Sequence, residues 1–89
     1  MKIKDGFILR QMNSMNIVVA VGERAAEFNG LITLNETGMF LWNKLVNDID
    51  EQGLVDAVLR EYNGVSEDKA REDVVKFTEK LRQADILDE

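Results

Sequence analysis

The sequence predicts an α+β domain in which a small three-stranded antiparallel sheet is followed by three helices. Up to Leu34 the chain holds short, β-branched apolar runs separated by turn residues. From Asn35 onward the apolar residues recur every three or four positions, the period of a helix face. Strands and helices are thus segregated along the chain, an order that lays the helices on one face of the sheet.

Phe7-Ile8-Leu9-Arg10-Gln11 is short, β-prone and partly alternating, and Asn13-Ser14 supplies turn chemistry after it. Asn16 to Val21 is a second run rich in β-branched residues, so the two read as an antiparallel hairpin. The second run is apolar on both alternating faces, as expected of a strand covered on both sides. Gly22 ends it. Glu23 to Phe28 carries no decisive pattern, whereas Asn29-Gly30 signals a tight turn because both residues tolerate positive φ. Leu31-Ile32-Thr33-Leu34 follows as the third strand. A three-stranded sheet keeps at least one edge open unless something covers it.

Asn35 sits where an N-cap belongs, and Glu36 in the first turn suits the helix dipole. Phe40, Leu41, Trp42, Leu45 and Val46 form the apolar side of this first helix, which closes near Asn47. Asp50 caps a second helix with Leu54, Val55, Val58, Leu59 and Tyr62 on one face, and Asn63-Gly64 stops it. Ser66 caps the third, whose stripe is Ala70, Val74, Phe77, Leu81 and Ala84. Ile86 and Leu87 close the chain as an apolar clasp.

No repeat, linker or low-complexity tract divides the 89 residues, so one domain over 1–89 is expected. The longest apolar run, Ile17 to Val21, is far below the roughly 18 residues of a membrane span. Met1 to Asp5 lacks the apolar segment of a signal peptide, and a cytoplasmic protein is the default expectation. The chain has no Cys, hence no disulfide, thiolate zinc site or cluster ligation. Its net charge of −6 favours solubility and opposes general nucleic-acid binding.

Nucleophilic catalysis needs a base beside the nucleophile, and His is absent. Ser14 and Ser66 are explained by a turn and a cap. The acids Glu67, Asp68, Glu72 and Asp73 are interspersed with bases on one helix. Lys69 with Asp73 and Glu72 with Lys76 are opposite-charge neighbours, whereas Lys76 with Lys80 is a like-charge pair. The glycines are scattered rather than gathered in a phosphate loop. The sequence therefore reads as non-enzymatic, with no cofactor or metal of its own.

Two binding modes suit this order of elements. A winged helix-turn-helix would place a helix in the DNA major groove, as a DNA-binding or transcription-associated module. Its recognition helix would need donors at its start, yet the third helix opens Ser-Glu-Asp-Lys-Ala-Arg-Glu-Asp. The other mode is strand addition, in which an extended peptide pairs with an open sheet edge. The uncharged stretch LITL, pinned by a helix at its end, suits that mode.

The run LITLNETGMFLWNKL resembles the pattern of PqqD-like proteins, a Leu-Asn-Glu-Thr-Gly junction entering a helix that carries a Trp. The segments LVDAVLREY, GVSEDKAREDVVKFTEKLRQAD and IL match the family's later helices and apolar ending, so the resemblance runs from Lys4 to Leu87. VGERAAEFNG is longer than the simplest family pattern. The family comprises pyrroloquinoline quinone (PQQ) biosynthesis protein D and related RiPP recognition elements. The resemblance implies a winged helix-turn-helix-like fold and a peptide chaperone. Such a chaperone binds the leader of a ribosomally made precursor peptide and presents it to a modifying enzyme, often a radical SAM protein. Carried over, it places the leader along Leu31, Ile32, Thr33 and Leu34, facing Val74, Phe77 and Leu81, with Lys69, Asp73, Lys76 and Lys80 as the rim. Asn35, Glu36, Thr37, Gly38 and Trp42 are assigned to structure, with Phe40, Leu41 and Trp42 bracing the sheet. An open strand edge admits a second copy as well, which would make a homodimer; nucleic acid and membrane are not expected partners.

Overall fold

The computed structural model describes residues 1–22 and 32–89. Strands β2 (Phe7–Met12) and β3 (Met15–Ala20) form the expected hairpin, in register from Phe7↔Ala20 to Met12↔Met15. Asn13 and Ser14 join them with φ of 51° and 65°. Positive φ at both central residues is the type I′ turn, whose twist matches that of the flanking strands. Strand β4 (Ile32–Leu34) runs antiparallel to β3, pairing Asn16↔Leu34, Ile17↔Thr33 and Val18↔Ile32. The sheet order is β2-β3-β4. The Asn29-Gly30 turn, the Glu23 to Phe28 stretch and Leu31 lie outside the described residues.

Alternation along these strands sends Phe7, Val18, Ile32 and Leu34 into the core. Ile17, on the opposite face between Arg10 and Thr33, is buried as well, in keeping with a central strand covered on both sides.

The helices are α1 (Glu36–Leu45), α2 (Glu51–Glu61) and α3 (Glu67–Gln83). Each starts at the residue whose side chain was expected to cap it. Asn35 accepts from the Gly38 amide at 2.8 Å, Asp50 from Gly53 at 2.7 Å and Ser66 from Lys69 at 3.1 Å. These bonds satisfy amides that the helix itself leaves without a partner. Leu41, Trp42, Leu45, Leu54, Val55, Val58, Ala70, Val74 and Leu81 interlock beneath the sheet. Phe40 packs against the core, its ring meets Tyr62 edge-on at 5.6 Å, and the Lys44 ammonium lies 5.3 Å from its centre. It thereby also ties α1 to the end of α2. Arg71 bridges α3 to α2 through Glu51 at 2.8 Å.

A second small sheet was not expected. β1 (Lys2–Ile3) pairs antiparallel with β5 (Leu87–Asp88), in register Lys2↔Asp88 and Ile3↔Leu87. Asp85, at φ 60°, turns the chain out of α3, and the Ile86 amide bonds back to the Leu81 carbonyl at 2.9 Å. The apolar clasp of Ile86 and Leu87 is therefore buried as expected, with Leu87 held in a strand. The architecture is α+β; the winged helix-turn-helix comparison rests on the resemblance alone.

Candidate functional site

A groove with a cavity volume of about 300 Å³ opens between β4, the start of α1 and the middle of α3. The strand-to-helix junction contributes Thr33, Leu34, Asn35, Thr37 and Gly38, and the next turn of α1 contributes Leu41. From α3 come Asp73, Lys76, Phe77 and Lys80. The apolar part is Leu34, Leu41 and Phe77, and charge is confined to α3.

The phase of the ladder decides which way Thr33 points its backbone. The Val21 amide donates to the Gly6 carbonyl at 2.8 Å, one residue beyond the Phe7↔Ala20 pair. Gly6 and Val21 are thus a hydrogen-bonded pair, and such pairs alternate along an antiparallel ladder. Ile17 and Val19 accordingly bond toward β2, while Asn16 and Val18 bond toward β4. Their partners Leu34 and Ile32 complete those bonds. Thr33 lies between these two and aims its N–H and C=O away from the sheet. Among the described residues no strand pairs with that side of β4.

Six of the residues expected to bind line this groove: Thr33, Leu34, Asp73, Lys76, Phe77 and Lys80. Others stand elsewhere. Val74 and Leu81 have 0% exposure and belong to the core behind Phe77, which keeps 9%. Ile32 is buried against the same core. Lys69 stands one turn before the groove, bonded to Asp73 at 3.0 Å. Leu31 lies outside the described residues. Conversely, Asn35, Thr37 and Gly38 were assigned to structure, yet they form one wall. The nearest neighbours of Gly38 are the side chains of Asn35, Leu34 and Phe77.

The charges on α3 are largely self-compensated. The Asp73 carboxylate holds the Lys69 ammonium above its usual range by accepting its hydrogen bond. Lys76 donates to Glu72 at 3.0 Å and holds that carboxyl below the ordinary glutamate value. Among the described residues no group of three or more His, Cys, Asp or Glu is arranged to hold a metal ion.

The family model described as coenzyme PQQ synthesis protein D, PqqD, matches residues 15–87. The chain belongs to the PqqD family. In this PqqD-family chain the matched span begins at the first residue of β3 and includes every residue that lines the groove. Two solved structures share its fold. One, described as TbiB1 in complex with the TbiA(beta) leader peptide, has a TM-score of 0.76 at 20% identity. The alignment covers 99% of this chain and 95% of that one. The other, lasso peptide synthetase B1 complexed with the leader peptide, has a TM-score of 0.71 at 14% identity, covering 96% and 93%. A comparison with curated proteins finds no match. No helix among the described residues is long and apolar enough to cross a membrane.

Proposed function

We propose that this PqqD-family protein is a non-catalytic chaperone for a peptide leader. It takes up the leader of a ribosomally made precursor peptide as an added strand on β4 and presents it to a modifying enzyme. The observation that carries this reading is the outward N–H and C=O of Thr33 beside an apolar groove. An extended peptide would satisfy both groups, at about 1 kcal/mol net each, while its side chains fill the space against Leu34 and Phe77. The leader peptides named in the two similar structures support the same reading. The family resemblance adds the enzyme, with a radical SAM protein as the leading candidate and PQQ biosynthesis as one such setting, in the cytoplasm. Pairing of β4 with a second copy is the competing use of the edge.

DNA recognition is the weaker reading. The first turns of α3 present Glu67, Asp68, Glu72 and Asp73, a field that repels phosphates.

The deciding experiment is a titration of isotopically labelled protein with the leader of the precursor encoded beside its gene. Amide shifts concentrated on β4 and α3 are expected. Shifts concentrated on α2, or none at saturating peptide, would refute strand addition.

A further inference from the structure

Lys80 lies in the last turn of α3, where a cation suits the helix dipole, yet it stands beside a second lysine. Lys76 and Lys80 stand one turn apart and both line the groove, where two ammonium groups repel. The other cations of this helix are paired. Lys69 meets Asp73, Arg71 meets Glu51, Lys76 meets Glu72, and Arg82 meets both Glu79 and Glu89. Lys80 alone among them has no carboxylate within 4.0 Å among the described residues. This occurs in a chain with 17 acids and only 11 Lys and Arg. The acid that also lines the groove, Asp73, is already engaged by Lys69 at 3.0 Å. The local field of the groove is therefore positive on a protein that is negative as a whole.

We infer that the groove selects a peptide segment carrying an acidic side chain beside an apolar one. The apolar side chain packs on Phe77 and Leu34, and the carboxylate reaches Lys80 with Lys76 as the flanking charge. Lys80 is then a specificity determinant: it rewards an acid at one place and rejects a base there, which sets register along the added strand. The inference rests on the reading of β4 as a peptide edge and names the class of peptide that edge accepts.

A displayed library of random peptides, selected on the full-length protein, tests it. Parent protein should enrich peptides with Asp or Glu at a fixed offset from an aliphatic or aromatic residue. Lys80→Glu should enrich Lys or Arg at that offset, with Lys80→Gln losing the preference. Lys80 is exposed, so amide spectra of both variants should keep the parent's dispersion. A parent-selected acidic peptide should bind Lys80→Glu about three- to tenfold more weakly, the scale of an exposed ion pair turned into a repulsion. Enriched peptides without an acid preference, or the same peptides on parent and Lys80→Glu, would overturn the inference and leave the peptide edge standing. No enrichment on the parent at all would overturn both.

Discussion

Gly38 lies flush against the Phe77 ring: a methyl group built on it would sit 3.4 Å from Phe77 Cε1 and 3.3 Å from Leu34 Cβ. The same methyl would meet the capping oxygen of Asn35 at 3.3 Å. Helix α1 thus begins against the apolar part of the groove. Gly38→Ala should gain helix propensity, at most about 1 kcal/mol, and lose part of it as Leu34 and Phe77 move aside. We expect stability to change by less than ~1 kcal/mol while leader affinity falls, because the ring is displaced into the groove. Thermal unfolding and a binding titration check the two halves separately. Unchanged affinity in a variant whose Phe77 ring signals have shifted would remove that ring from the contact.

Thr33→Pro deletes an amide that makes no bond within the sheet, so the fold should survive it as edge strands survive proline. Leader binding should weaken by at least ~1–2 kcal/mol, one or two net hydrogen bonds. Thr33→Ala keeps the amide and should bind nearly as the parent does. Equal affinity for the proline variant, measured by fluorescence anisotropy on folded protein, would end the strand-addition mechanism.

Leu81 is fully buried, so Leu81→Ala should cost about 2–5 kcal/mol in denaturant unfolding through the cavity it leaves. Affinity of the remaining folded protein for the leader should be unaltered. A large loss of binding at normal stability would return Leu81 to the groove.

The Glu72 carboxyl is held below its ordinary value of 4.5, first by the hydrogen bond from Lys76 and then by that ammonium's charge. A depressed folded value stabilises the protein above pH 4.5, and that contribution disappears as pH falls through the folded value. Both side chains are more than half exposed, so the effect on stability is small. The clean readout is the carboxyl itself. A carbon-detected titration should find the Glu72 midpoint below 4.5, and Lys76→Gln should raise it. A midpoint that ignores Lys76→Gln would mean that the pair is not populated in solution.

The local chemistry of the chain was legible without coordinates. Asn35, Asp50 and Ser66 each cap the helix that begins beside them, because a cap needs only one side chain and an amide three residues on. The Asn13-Ser14 turn and the β2–β3 pairing are equally local. The features that local pattern does not carry depend on tertiary placement. The stripe Ala70, Val74, Phe77, Leu81 marks an apolar face but not its boundary, so Val74 and Leu81 were assigned to the groove although only Phe77 reaches it. Asn35 and Gly38 were assigned to capping and packing; they do both, and they also form a wall because α3 happens to stand opposite. Strands β1 and β5 are two residues each, too short for any alternation to register.

That last pair has a mechanical meaning. Lys2 and Asp88 are cross-strand neighbours, so the chain enters and leaves the fold side by side. Neither strand supplies a residue to the groove. A unit with adjoining entry and exit points can be spliced into a surface loop of a larger protein without being pulled open. Hosted in that way by a catalyst, it would hold a captured segment at an effective concentration set by linker length, so that even a weakly bound substrate would be delivered repeatedly to the same address.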